Sequence, residues 1–412
     1  MKIWIFNNYN MLPAHGHLIR HYNFGSWLKK KGHDPVVFVG SHPHNTDIQL
    51  IEGADAFREF QSTPFSWILV KTMKYGMSRK KQVFTMFQFY WNGKKAAKYA
   101  AEQYGKPDVV LGSSAHPLTA VLALKLGKKY GCPAIVEIRD LWPESIVAYG
   151  IAESRNPAIL ALRQLEKWIY KKTDALIFTQ EGAYDYIVEQ GWENEIPRDK
   201  VFYINNGIDL ESFYYNRDQY QINDLDLKDS DSIKIIYTGS IRKVNNLGVL
   251  LEAAKYTDNS RIKFLIWGSG DQLPILQKRV QDEGLKNVIF KGNVEKKYIP
   301  FIVSQADYNY INGADNDIFR FGISPNKLFD YFAAEKPVLM LIRAKYNPAE
   351  RLSCGLICQT EEEFLKLLSN LPSPSAEQYK TLCQNAKAAA KEYDFKNLTQ
   401  KLLNVIERLE KK

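Results

Sequence analysis

The chain has 412 residues, which is enough for two globular domains. Its hydrophobic content of 45% and charged content of 25% are usual for a folded protein in water, and no run approaches the ~20 apolar residues that span a bilayer. The net charge of +9 permits anionic partners: nucleic acid, acidic lipid or phosphorylated small molecules. No secretory leader is recognisable, and four scattered cysteines suit a reducing compartment, so we expect a cytoplasmic location.

Short apolar runs alternate with helical patterns along the chain, which predicts parallel β-sheets with crossover helices. The strands predicted in the first half are 3–6, 36–39, 109–111, 134–138, 175–178 and 201–204. Those predicted in the second half are 234–237, 263–267, 288–290, 308–311, 337–341 and 356–358. The polar segment 210–232 lacks periodicity and is predicted to join two Rossmann-like domains.

The stretch 60–101 concentrates positive charge, with eight Lys or Arg, no Asp or Glu, and ten aromatic residues. This composition predicts a surface that docks on an anionic membrane, with cations at the headgroups and aromatic rings at the interface. The alternative is a pair of helices in which Phe84, Phe87 and Trp91, at helical spacing, face the core. No nucleic-acid-binding motif accompanies the charge, so nucleic acid is not an expected partner.

Polar residues follow the predicted strands of the first half, and open parallel sheets bind ligands at that edge. Arg139 and Asp140 follow strand 134–138, and His116 follows strand 109–111. Either Asp140 or His116 could assist catalysis, whereas a structural pairing of Asp140 with Arg139 is the alternative. His15 and His17 form a His-x-His pair without a clear third ligand, which favours solvated loop histidines over a zinc site.

The first strand of the second half runs into Gly239 and the cations Arg242 and Lys243, directly before a predicted helix. A helix N-terminus disfavours cations unless an anion lies there, so this loop predicts a diphosphate site. Downstream, Ser324 is a predicted N-cap of a second helix, on which Asp330 could accept hydrogen bonds from a ribose. A solvated charged loop and a surface Asp are the alternatives.

Four stretches resemble the retaining glycosyltransferase family 4 of the GT-B fold, and its WbuB-like subgroup of bacterial surface-polysaccharide synthesis. They are 16–22, 137–145 (EIRDLWPES), 237–246 and 324–338 (SPNKLFDYFAAEKPV), supported by 206–209 (NGID). The resemblance implies an α/β chain whose two Rossmann-like domains face each other across a cleft. It implies an acceptor-binding domain at 1–209, a linker at 210–232, a nucleotide-sugar-binding domain at 233–394 and a helix at 395–412 that packs back on the first domain.

The resemblance also implies roles for individual residues. The residues implied at the donor diphosphate are Gly239, Arg242, Lys243, Gly322, Ile323 and Ser324. Those implied elsewhere are Asp330 at the ribose, Asn293 and Val294 at the base, and Gly16, Arg20 and Arg139 at the acceptor. The chain departs from the family's Glu-x7-Glu motif at its first acidic position, where Gly322 stands, with Asp315 and Asp317 as possible substitutes.

The implied activity is transfer, with retention, of a sugar from a nucleotide-sugar, and we expect a UDP-sugar. The expected acceptor is a saccharide, or one linked to a lipid diphosphate, in O-antigen or capsule synthesis at the inner face of the membrane. No metal or other cofactor is expected, because Arg242 and Lys243 would neutralise the diphosphate. The alternatives are a sugar-nucleotide epimerase of the same architecture and a basic nucleic-acid-binding protein.

Overall fold

A computed structural model describes residues 1–16, 18–44, 46–60, 63–76, 78–114, 116–257 and 259–411. His17 of the His-x-His pair therefore lies outside the described residues. The chain forms two compact units: Met1–Asn205 together with the segment that begins at Phe395, and Asn206–Asp394.

The first unit is built on an eight-stranded sheet with the order β3-β4-β2-β1-β5-β6-β7-β8, in which only the β3–β4 pair is antiparallel. Its strands are β1 (Lys2–Asn7), β2 (Asp34–Gly40), β3 (Phe57–Phe60), β4 (Ser66–Val70), β5 (Val109–Ser114), β6 (Ala134–Ile138), β7 (Ala175–Phe178) and β8 (Val201–Tyr203). Its helices are α1 (Arg20–Lys30), α2 (Arg79–Tyr104), α3 (Pro117–Tyr130), α4 (Glu144–Ala148), α5 (Pro157–Lys172), α6 (Ala183–Glu189) and, at the end of the chain, α16 (Phe395–Glu410). All six strands predicted for this half are present.

Strands β3 and β4 were not predicted, and β4 changes the interpretation of the stretch 60–101. Trp67 on β4 is fully buried, and the strand pairs with β2 inside the sheet. The membrane-docking prediction is therefore wrong for β4, because these residues are committed to the core. Phe89 and Tyr90 on α2 are also buried in the cluster around Trp4.

The aromatic residues whose burial was the alternative interpretation are exposed. Phe84, Phe87 and Trp91 on α2 keep 55%, 49% and 58% of their surface accessible within the described structure. Ala96 and Ala97 on the opposite side of the helix are fully buried against the sheet. The helix thus exposes one stripe of aromatic rings, while small residues and its other aromatic rings face the sheet.

The second unit is built on a six-stranded sheet with the order β11-β10-β9-β12-β13-β14, in which every described pair is parallel. Its strands are β9 (Ile233–Thr238), β10 (Ile262–Trp267), β11 (Val288–Gly292), β12 (Tyr308–Asn312), β13 (Val338–Leu341) and β14 (Gly355–Cys358). Its helices are α7 (Leu210–Gln219), α8 (Leu225–Lys228), α9 (Gly248–Tyr256), α10 (Leu273–Asp282), α11 (Ile299–Ser304), α12 (Asn326–Ala333), α13 (Pro348–Arg351), α14 (Glu361–Ser369) and α15 (Glu377–Glu392). All six strands predicted for this half are present.

The segment 210–232, predicted as a linker, folds into α7 and α8 and belongs to the second unit. Asp224 caps α8 by accepting a hydrogen bond from the Asp226 amide at 2.9 Å, and both carboxylates pair with Lys291 at 2.8 and 2.6 Å. Capping and ion pairs stabilise helices whose apolar periodicity is too weak to show in the sequence. At the other end of the chain, Phe395 on α16 packs edge-on against Phe24 of the first unit.

Candidate functional site

The second unit has a topological switch between β9 and β12, because successive strands are added on opposite sides of this pair. Ligands of open α/β sheets bind beyond the carboxyl ends of the strands at such a switch. The loops that follow the two strands are joined there. Asn312 Nδ2 donates to the Asn246 carbonyl at 2.8 Å, and the Ala314 amide donates to the Val244 carbonyl at 2.9 Å.

Glycines allow the loops after β9 and β10 to pack backbone against backbone. A Cβ atom on Gly268 would lie 1.8 Å from the Gly239 carbonyl oxygen, and one on Gly270 would lie 2.1 Å from the Ile241 carbonyl oxygen. Gly239 itself has φ +137, which other residues rarely adopt. Its amide donates to the Trp267 carbonyl at 3.0 Å, so Gly239 shapes the loop and does not offer its own N–H to a ligand.

The two cations of the loop after β9 are exposed, and neither Arg242 nor Lys243 makes an ion pair or side-chain hydrogen bond with a described residue. The helix predicted directly after them is a single 3-10 turn, Lys243–Asn245, and α9 begins at Gly248. The prediction that a helix dipole acts on these two cations is therefore wrong, because among the described residues no α-helix begins beside them. What remains is a pair of unpaired positive charges in a glycine loop at the switch, which suits an anion.

The loop before α12 differs from its prediction in two ways. The Gly322 amide donates to the Phe319 carbonyl at 3.0 Å, so this amide is hydrogen-bonded within its own loop, and its role at the phosphates stays a prediction. The Ser324 hydroxyl accepts a hydrogen bond from the Asn206 amide at 3.2 Å, and α12 begins at Asn326 with Pro325 as its N-cap residue. Ile323, also predicted at the diphosphate, has a buried side chain.

Asp330 lies on the second turn of α12 with its side chain partly buried. Burial raises the pKa of this carboxyl to about 6, an effect that the nearby Lys296 ammonium opposes. Lys296, in the turn after β11, was missed by the sequence analysis because nothing in its spacing pairs it with α12. The predicted base-binding residues also follow β11: Asn293 is exposed, and Val294 packs against the core cluster that contains Trp267.

The two acidic residues considered for the first position of the Glu-x7-Glu motif lie in the loop between β12 and α12. Asp315 is exposed and lies 3.4 Å from Arg343. Asp317 begins a 3-10 turn, Asp317–Phe321, which Asn316 caps. Neither contacts Asp330 in the described structure, so the geometry selects no substitute for the missing acid.

In the first unit, the switch lies between β1 and β5, and a buried polar network fills its base. Arg20 is 4% exposed and donates to Glu137 Oε1 at 2.8 Å and to the carbonyls of Ile204 and Asn205 at 2.9 and 2.6 Å. His21 Nε2 lies 3.0 Å from Glu137 Oε2. Although burial alone would raise the pKa of Glu137, the adjacent Arg20 and His21 hold it well below its ordinary value.

The acceptor role predicted for Arg20 is therefore wrong, because its guanidinium is sealed inside the unit and joins α1 to the ends of β6 and β8. Gly16, the other acceptor residue before α1, is partly exposed and lies against Met11. A Cβ atom at Gly16 would meet the Met11 sulfur at 2.4 Å. The close approach of Met11 thus favours a glycine here, and the acceptor role of Gly16 stays a prediction.

Asp140 follows β6 and lines a small pocket of about 20 Å³, room for about one water molecule, together with Ser114, Trp142 and Glu166. Asp140 keeps an exposed edge, yet desolvation by the protein around it raises the pKa of its carboxyl, and Arg139 beside it opposes the shift. Glu166 accepts hydrogen bonds from Tyr170 and Tyr186, each at 2.7 Å, and burial raises its pKa to about 8. The pocket therefore holds two carboxyl groups that keep protons more readily than usual.

His116, the other catalytic candidate, is fully buried and contacts the Thr119 hydroxyl at 3.2 Å through Nε2. Burial lowers the pKa of His116 to about 3, so the ring is neutral at physiological pH. Its edge-on contacts with Tyr9 and Phe89 are those of a core residue. Geometry therefore favours Asp140 over His116 as the group that could reach a substrate.

Two negative findings concern only the residues that the structure describes. Within them, no group of three His, Cys, Asp or Glu side chains is placed to hold a metal ion. Over the same ranges, the helices include none with the length and hydropathy needed to cross a bilayer.

The sequence was compared with family models and curated proteins. Residues 20–212 match the model described as Glycosyltransferase Family 4, and residues 221–313 match the one described as Glycosyl transferases group 1. The chain is 22% identical over 236 residues to the probable glycosyltransferase WbjE of Pseudomonas aeruginosa, and the aligned region covers 57% of each protein. It is 22% identical over 294 residues to the putative colanic acid biosynthesis glycosyl transferase WcaI of Escherichia coli K12, which covers 69% of this chain and 70% of WcaI.

A comparison with solved structures addresses the fold. HepE from Anabaena, in complex with UDP, has a TM-score of 0.67 to this chain at 12% identity, and the match covers 99% of this chain and 100% of HepE. This likeness, together with the two parallel-sheet units, confirms the predicted GT-B fold class.

Proposed function

Because the chain belongs to the glycosyltransferases, as a Glycosyltransferase Family 4 domain followed by a Glycosyl transferases group 1 domain, we propose that it moves a sugar from a UDP-sugar to a saccharide carried on a lipid diphosphate. The anomeric configuration is retained, and the product is part of a surface polysaccharide such as an O-antigen or a capsule. The observation that carries the proposal is the glycine loop at the switch of the second unit, with its unpaired Arg242 and Lys243.

The chemistry requires the bond between the anomeric carbon and the diphosphate oxygen to break. The leaving diphosphate gains negative charge at that oxygen, and fixed cations lower the barrier by stabilising the charge. Arg242 and Lys243 are available for this because no described carboxylate neutralises them. We therefore propose that the diphosphate lies at this loop without a metal ion. Asp330 holds the ribose, while Asn293 and Val294 lie near the base.

The choice of UDP and of a polysaccharide product is supported by relatives. HepE, which shares the fold, was solved with UDP bound, and the printed name of WcaI assigns it to colanic acid biosynthesis. On the acceptor side, we propose Asp140 as the group nearest the acceptor hydroxyl and Arg139 as its neighbouring cation. The raised pKa of Asp140 suits a carboxylate that takes up the hydroxyl proton.

We further propose that the first unit docks on the cytoplasmic leaflet through one side of α2. Phe84, Phe87 and Trp91 recur at three- and four-residue intervals, so they share one stripe of the helix, and all three are exposed. We call them the α2 aromatic face. Two pairs of exposed lysines flank that face, and we call them the α2 lysine pairs: Lys80 with Lys81, and Lys94 with Lys95.

This composition fits an anionic lipid surface, because rings insert at the interface and each nearby cation contributes about 1 kcal/mol of attraction. Lys94 Nζ lies 4.7 Å from the Trp91 ring centroid, so a cation and a ring already lie together at one end of the face. Docking there would bring the enzyme to an acceptor that is itself anchored in the membrane.

The proposed function is tested by measuring thermal stabilisation with a panel of UDP-, GDP- and dTDP-sugars, followed by product analysis with a saccharide acceptor. A donor that binds only the native state must raise the Tm, and at a fixed concentration a tighter-binding donor raises it more. We expect UDP-sugars to stabilise the protein and the sugar to appear on the acceptor. Conversion of the UDP-sugar to an epimer without acceptor would point to the epimerase alternative, and stabilisation by none of the panel would contradict the proposal.

A further inference from the structure

Lys327 lies against the glycine loop of the second unit and was not singled out by the sequence pattern. It is the second residue of α12, and its Nζ donates to the Tyr237 hydroxyl at 2.8 Å. The same ammonium lies 4.1 Å from the Tyr237 ring centroid. A Cβ atom on Gly239 would lie 3.1 Å from Nζ, so any larger residue there would push the lysine away.

The contacts around Lys327 hold the ammonium in place but do not neutralise it. Tyr237 in turn donates to the Ser240 carbonyl at 2.7 Å, which ties the lysine to the loop that carries Arg242. No carboxylate among the described residues forms an ion pair with Lys327. Burial alone lowers the pKa of Lys327 to about 7.

The described titratable groups around the Lys327 ammonium supply no paired carboxylate, so burial alone sets the direction of its pKa shift. Tyr237 faces it from β9, and the groups nearest in sequence on α12 are Asp330 and Tyr331, whose own pKa values are raised by burial. Arg242 and Lys243, in the loop after β9, add only positive charge. A cation in the first turn of a helix is also disfavoured by the helix dipole. An anion in the loop would offset these costs by its attraction to the ammonium.

We propose that Lys327 is a third cation of the donor site and contacts the diphosphate together with Arg242 and Lys243. This inference rests on the proposed function. A purely structural lysine is a poorer explanation, because an uncharged side chain could fill the same space without the cost of a partly buried charge that has no described carboxylate partner. The glycine at position 239 then has a second purpose, which is to leave room for the ammonium beside the phosphates.

The proposal has a signature that a packing role lacks. At pH 8 an amine with a pKa of about 7 is about nine-tenths neutral, and an adjacent diphosphate would restore its proton. UDP is fully ionised at that pH, since the second pKa of a phosphate group is about 6. UDP binding at pH 8 should therefore be accompanied by net proton uptake, and uptake by the lysine should be smaller at pH 6.

Calorimetric titration of the full chain with UDP, in buffers of different ionisation enthalpy, measures affinity and proton uptake together. We expect Lys327→Met to weaken UDP binding at least tenfold and to abolish the uptake. Lys327→Arg, which is always protonated, should recover most of the affinity without uptake. The matched control is Lys366→Met, an exposed lysine on α14 whose loss should change neither quantity.

The outcomes separate this inference from the proposed function. If the parent protein binds UDP and Lys327→Met binds it equally well, Lys327 is not a diphosphate ligand. If Lys327→Met loses binding and Lys327→Arg does not restore it, the lysine acts only through packing, and the proposal also fails. If the parent binds neither UDP nor any UDP-sugar, the proposed function itself is contradicted.

Discussion

Two arginines that the family resemblance placed at ligands should respond in opposite ways to replacement by alanine. Arg242 is exposed and has no partner among the described residues, so Arg242→Ala leaves no buried group unsatisfied. We expect its Tm to stay close to that of the parent, as for most surface substitutions. Loss of one charge-assisted contact to the leaving diphosphate should raise the barrier by roughly 2–4 kcal/mol, about 30- to 1,000-fold in turnover.

Arg20→Ala has the reverse profile. It removes the guanidinium partner of Glu137 and the donors to the carbonyls of Ile204 and Asn205, so the buried carboxylate is left with His21 beside it. Breaking such a buried pair costs about 3–5 kcal/mol. For a unit of about 200 residues this corresponds to a fall in Tm of about 6–20 °C.

The assay combines scanning fluorimetry with initial rates of sugar transfer on the parent and both variants, and Arg242→Lys serves as the matched control. Arg242→Lys keeps the charge but loses the planar fork, so its rate should lie between those of the parent and Arg242→Ala. The assignment of Arg242 is refuted if Arg242→Ala turns over at nearly the parent rate. The structural role of Arg20 is refuted if the Tm of Arg20→Ala equals that of the parent.

Three further predictions address the ribose, the metal and the membrane. Asp330→Asn should weaken UDP binding, and in the parent that binding should weaken as pH falls below about 6, the pKa to which burial raises Asp330. The folded pKa of Asp330 exceeds the unfolded one, so the ionised carboxylate destabilises the fold by an amount that grows as pH rises from about 4 to 6. Asp330→Asn should therefore not lower the Tm at pH 7. Unchanged UDP affinity in this variant would exclude the ribose role. Activity should persist in excess EDTA, and a loss that magnesium or manganese reverses would contradict the metal-free mechanism. Charge reversal of the α2 lysine pairs, or replacement of the α2 aromatic face by serine, should reduce sedimentation with anionic vesicles while sparing transfer to a short soluble acceptor; equal sedimentation would exclude docking through α2.

The α2 helix illustrates how far composition alone can lead. The sequence showed that the stretch 60–101 is basic and aromatic, but composition does not state which rings face the core. Trp67 is buried because its strand pairs with β2, while Trp91 is exposed because its helix turns Ala96 and Ala97 to the sheet. Only the pairing of distant segments separates these two tryptophans.

The sequence by itself determined the class of fold, the positions of twelve strands and the two cations after β9. Alternating apolar runs and strand-end loops are local signals, and they can be read without knowing what they contact. Only the tertiary structure showed that Arg20 pairs with Glu137, that the Gly322 amide donates to the Phe319 carbonyl, and that Lys327 lies against the loop of Gly239. The partners of Arg20 and Lys327 are far apart in sequence, and the Gly322 bond depends on a 3-10 turn that the sequence analysis did not predict. Burial then decides whether a charge is neutralised inside the fold or remains available to a ligand.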